Sequence, residues 1–113
     1  MGKLSTNSSD LAPTVVTGTL NAVANGNSGA FLGAFNLALW GTFVATLALQ
    51  VSFDGGTTWI AKVSEQTGQP ITFTVPAAMQ IVEPEPGVLY RVACTAYTSG
   101  AVGYRLSGGP RLT

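Results

Sequence analysis

Apolar and polar residues alternate most cleanly over residues 42–53. Phe43, Ala45, Leu47, Leu49, Val51 and Phe53 share one parity; Val44, Thr46, Ala48, Gln50 and Ser52 share the other. A period of two predicts a strand with one buried face. Residues 30–40 are apolar on both parities, with Phe31, Phe35, Leu37 and Leu39 on one and Leu32, Ala34, Ala38 and Trp40 on the other. Ala and Leu favour a helix, but Gly33 and the aromatic residues oppose it. The prediction is a strand covered on both faces. In a small sandwich a neighbouring chain supplies the second cover, so Phe31, Phe35 and Trp40 are candidate interface residues.

Further strands are predicted over residues 13–23, rich in Thr and Val, over 59–63, and over 70–75, where prolines at 70 and 76 suit an edge. Residues 77–82 read as extended chain, with a single helical turn as the alternative. The stretches 24–29, 64–69 and 83–87 are connections. About seven strands with turn signals about every ten residues predict an all-β fold, an antiparallel β-sandwich. One domain spans residues 13–113, and residues 1–12, small and polar, form an extended N-terminal arm.

The last two runs predict a hairpin. Tyr90, Val92, Cys94 and Ala96 share a face, as do Val102, Tyr104 and Leu106. A three-residue loop over 98–100 pairs Cys94 with Tyr104 and Val92 with Leu106, and requires positive φ at Gly100. That register puts Cys94 in the core. It puts Arg91 and Arg105 side by side on the outer face, free to meet a partner subunit.

The chain is organised around Gln50-Val51-Ser52-Phe53-Asp54-Gly55-Gly56-Thr57-Thr58-Trp59-Ile60. Asp-Gly between alternating runs is a strong hairpin signal. Asp54 can accept backbone N–H bonds, and Gly55 and Gly56 can take positive φ. Ser52 and Thr58 flank the carboxylate, and Trp59 can fold under the turn.

Charge changes the picture. Only 9% of the 113 residues are charged and the net charge is zero, against about 25% charged in an ordinary domain. A monomer so poor in charge dissolves badly, so the composition predicts a subunit covered by neighbours. Scattered bases argue against a nucleic-acid partner. There is no histidine, and Cys94 is the single cysteine, which excludes an intrachain disulfide and an ordinary zinc site. No pattern calls for a cofactor. Residues 29–49 are long enough to cross a bilayer. However, they hold Asn36, Thr42 and Thr46, break at Gly41 and lack flanking Lys or Arg, so no membrane partner is expected.

Candidate chemistry is sparse. Glu83 and Glu85 are the nearest approach to an acid/base pair, yet they sit in a proline-locked turn with no histidine in the chain. The expectation is a non-enzyme with no catalytic residue. Arg91 and Arg105 are either contacts for an acidic partner or solvated charges. Trp40 and Trp59 are either a platform for a glycan or core residues.

The pattern Ser52, Asp54, Gly56, Thr58, Trp59 resembles the Asp-box hairpin of sialidases and other secreted β proteins, over eight residues and in one copy. The sialidase catalytic residues have no matching positions. Over roughly the C-terminal two-thirds, a series of motifs runs in order: Gly41-Thr42-Phe43; 50–59; Glu85-Pro86-Gly87-Val88-Leu89-Tyr90-Arg91; Tyr97-Thr98-Ser99-Gly100; and Tyr104-Arg105-Leu106-Ser107. Together they look like small β proteins of tailed phages and prophages that decorate or cement capsids or sit in fibres and tails. The resemblance implies a virion protein made in the host cytoplasm and placed on the capsid surface or a head or tail appendage. It implies self-association, as a homotrimer, and adhesion to the major capsid protein or another virion protein. The alternatives are a carbohydrate-binding module and a tail or fibre component.

Overall fold

The computed structural model describes residues 14–108, so the arm expected over residues 1–12 lies outside them. These residues form ten strands and no helix. In order they are β1 (Thr14–Leu20), β2 (Ala24–Asn25), β3 (Gly29–Ala30), β4 (Gly33–Trp40), β5 (Phe43–Ser52), β6 (Ile60–Ala61), β7 (Thr72–Phe73), β8 (Ala77–Glu83), β9 (Leu89–Gly100) and β10 (Val102–Gly108). The fold is all-β, with two antiparallel sheets facing one another. The front sheet runs β1-β10-β4-β8. The back sheet runs β2-β9-β5-β6, with β3 also on β9 and β7 also on β5. The stretch 24–29, expected as pure loop, contributes β2 and β3, which pair with β9 at Cys94 and Tyr90.

Alternation builds the core, because one parity of each strand turns inward. Phe35, Leu37, Leu39 and Leu106 of the front sheet meet Leu47, Leu49, Val51 and Val92 of the back sheet, all buried. Each such side chain contributes about 1.5–3 kcal/mol when taken fully out of water. In β4 the Phe31, Phe35, Leu37, Leu39 parity is the inward one, as the two-faced pattern allowed. Phe31 and Phe35, at 3% and 1% exposed, are therefore packed within the chain and offer no surface to a partner. The other parity is bare: Leu32 is 43% and Trp40 47% exposed.

Two of the crossings between sheets are tight corners at glycines. Gly41, φ 114°, carries β4 into β5, and Gly100, φ 88°, carries β9 into β10. The two corners lie against each other. A Cβ on Gly41 would strike the Ala101 carbonyl, and one on Gly100 would strike the Thr42 carbonyl. The Ala101 N–H donates to the Thr42 oxygen at 3.2 Å. Only glycine fits such a backbone-to-backbone approach with positive φ.

This overturns the predicted last hairpin. Positive φ at Gly100 and burial of Cys94 are observed, but β9 and β10 are not partners. Cys94 lies opposite Leu47 and Ala24, while Tyr104 lies opposite Leu39 and Gly18. Tyr90, Val92, Cys94, Val102, Tyr104 and Leu106 still point inward, because the inner faces of two opposed sheets look alike to parity, but Ala96, expected with them, is exposed past the register shift opposite Thr46, and Ala93, expected outward, is buried. What parity cannot show is that β10 bonds along both edges by inserting between β1 and β4. Arg91 and Arg105 consequently stand on opposite outer faces, not side by side.

Candidate functional site

The Asp54 hairpin forms as predicted, with Gln50 opposite Ala61 and Val51 opposite Ile60. Its polar groups bind one another. The Ser52 hydroxyl donates to Asp54 Oδ1 at 2.9 Å and accepts the Gly56 N–H at 2.9 Å. The Thr58 N–H donates to Asp54 Oδ1 at 2.8 Å. Gly55 and Gly56 have φ of 77° and 97°. The Thr58 amide, then the Thr58 and Ser52 hydroxyls, hold the Asp54 carboxyl down at about 2, because each bond favours the charged form.

Trp59 leaves the turn on the outer side of the back sheet. Its indole N–H donates to the Gly56 carbonyl at 3.0 Å. The Arg91 guanidinium lies 4.1 Å from the ring centroid, and Arg91 Nε donates to Gln50 Oε1 at 2.7 Å. Directly opposed residues share a face, and Gln50 faces Arg91 across β5 and β9. Gln50 is the member of this group that its sequence context did not single out; its outward parity in the cleanest strand is the one signal. The ring is half-buried, as a cap beneath the turn.

The second polar cluster is internal. Tyr90, wholly buried, donates its hydroxyl to Glu83 Oε1 at 2.6 Å, and the Glu85 N–H donates to Oε2 at 3.0 Å. Tyr90 packs on Phe35 at 4.7 Å, and Phe35 stacks on Phe31 at 4.5 Å. Burial, then the bond and the charge of Glu83, push the Tyr90 phenol far above its ordinary value. Glu83 is only 3% exposed while Glu85 is exposed, so the two carboxylates differ sharply in surroundings. Glu83 braces the core where the chain passes from β8 to β9.

The aromatic platform does not assemble. Trp40 lies over Gly103 on the outer side of the front sheet, whereas Trp59 lies on the back sheet beneath Arg91. Tyr90 and Tyr104 are buried, and Tyr97 donates its hydroxyl to the Gly100 carbonyl at 2.8 Å. Among the described residues, no three His, Cys, Asp or Glu side chains converge as metal ligands. No helix of the described residues is long and apolar enough to cross a membrane.

What remains open is surface. The outer face of the front sheet presents Val15, Ala34, Ala38, Ala78 and Val82 among the polar Thr17, Thr19, Asn36, Gln80 and Ser107, with Arg105 as its one charge. Thr17 lies opposite Arg105, which lies opposite Ala38. On one flank, a groove of about 350 Å³ separates β8 from residues 62–66, floored by Ile71, Met79 and Ile81. Comparison with family models, curated proteins and solved structures returned no match.

Proposed function

We propose that the chain is a non-enzymatic structural subunit of a tailed-phage virion, a capsid decoration or cement protein that self-associates and adheres to capsid proteins. The observation that carries this reading is the outer face of the front sheet. Four strands present a surface of Val, Ala and uncharged polar residues, with Trp40 at one corner and a single charge, Arg105. Large apolar patches of this kind mark protein contacts, and interface cores are depleted in charge. The order of the phage-like motifs supplies the virion context. Adhesion is the mechanism: the face is removed from water against a neighbour, and Arg105 fixes orientation by pairing with an acidic group. The polar clusters at Asp54 and Glu83 hold the scaffold rigid behind it.

The test is light scattering on the purified full chain, followed by cosedimentation with capsids built from a tailed-phage major capsid protein. A multimer that pellets with capsids is expected. A monodisperse monomer at micromolar concentration that stays in the supernatant overturns the reading.

A further inference from the structure

Among the described residues, no strand pairs with the outer edge of β8. Sheet edges in monomers are blunted by a charge, a proline or a bulge, since a bare edge templates pairing with another chain. Over residues 77–82, β8 has none of these. It pairs with β4 over seven residues without a register shift. Pro76 and Pro84 stand just outside it, and its one charge, Glu83, turns inward to Tyr90. The opposite edge strand, β1, runs along the closed side of the sandwich, where Val16 abuts Gly29 of β3. β8 borders the open side, beside the groove floored by Met79 and Ile81.

We propose that β8 is a homodimer interface, in which it pairs antiparallel with β8 of a second copy about a two-fold axis through Gln80. The front sheet then continues across both copies as eight strands. The strand is self-complementary in this register. Met79 lies opposite Ile81 of the second copy on the inner face, and Ala78 lies opposite its Val82 on the outer face. Glu83 lies opposite Ala77, so no two carboxylates meet. Gln80 lies opposite itself, and a carboxamide carries both donor and acceptor for that contact. Any shift by one residue would set inward side chains against outward ones. Met79 and Ile81 of the second copy would also extend the apolar lining of the groove, which is open in the single chain. A second copy is favoured over a foreign peptide because residues 77–82 carry no charge to select a partner, Lys62 and Glu65 standing across the groove from them, whereas a two-fold contact needs only the strand itself and closes without leaving a free end.

The inference rests on the self-association part of the reading above, and it expects an even-numbered assembly where the phage resemblance implies a trimer. The experiment uses Gln80→Lys and Gln80→Glu in the full chain, with mass measured by light scattering and folding checked by thermal melts. Gln80 is exposed, so both variants should melt like the parent. Each alone sets like charges across the axis and should lose the two-fold contact, halving the mass. An equimolar mixture should regain it as a mixed dimer. Unchanged mass in both variants overturns the β8 contact alone, as does loss in both without recovery on mixing. A monomeric parent overturns the contact and the self-association reading together.

Discussion

The Asp54 hairpin and the outer face of the front sheet make opposite use of their side chains. In the hairpin, Ser52, Asp54, Gly56, Thr58 and Trp59 bond to each other, and Arg91 and Gln50 close the group from the next strands. The front face has one charge, and Trp40, Leu32, Val15 and Val82 stay more than two-fifths exposed. The conspicuous motif thus leaves little free to bind anything else. The plainer front face keeps its apolar side chains open to contact. The memorable pattern here marks a local solution to backbone geometry.

The largest expected effect is on the face. Thr17→Glu together with Ala38→Asp places two charges in its middle, flanking Arg105. Light scattering should show loss of the larger assembly, while the melting temperature stays near the parent's, since exposed substitutions usually change stability by under about 0.5 kcal/mol. Unchanged mass would make the face inert and erase the contrast.

Trp59→Ala should do the reverse. A fully buried Trp loses about 3–5 kcal/mol on truncation to Ala, and this half-buried ring should lose about 2. Denaturant unfolding measures it, and assembly mass should not change. Tyr90→Phe is the internal control: it leaves Glu83 Oε1 without its donor and should cost about 1–3 kcal/mol. Because burial and Glu83 raise the Tyr90 phenol, its contribution is full below the ordinary value of 10.0 and is lost as pH rises above it. Melts of parent and variant should therefore converge in strong base.

The smallest effect belongs to Asp54. Its carboxyl is held at about 2, so its contribution is present above the ordinary value of 3.8 and is lost as pH falls through about 2. Asp54→Ala should melt a few degrees below the parent at neutral pH and level with it near pH 2. A gap that persists in acid would show that the carboxylate charge is not what ties the turn. Cys94 offers a separate check on parity. Its buried thiol, donating to the Ala96 carbonyl at 3.3 Å, should resist a thiol reagent in the native chain and react in urea.

The chain by itself determined a good deal. Period-two alternation located β4, β5, β9 and β10 and most of their inward residues, since the parity of a strand is a local property; it failed at Phe53 and Ala96, which are exposed, and at Ser52, which is buried. Asp-Gly-Gly specified the turn at 54–56 and its φ values, and Gly100 announced a left-handed position. The pairing of Ser52 with Asp54 was legible too, because both ends of that bond lie within one turn. Tertiary structure alone decided which strand lies beside which. β9 and β10 adjoin in sequence and carry matching faces, yet they join opposite sheets, because β10 satisfies both of its hydrogen-bonding edges only between β1 and β4. Arg91 over Trp59, Tyr90 on Glu83 and the mutual contact of Gly41 with Gly100 were hidden for the same reason. Each joins residues on different strands, and the choice among strand partners is made by the total burial and hydrogen bonding of the whole sandwich, which no local window of sequence contains.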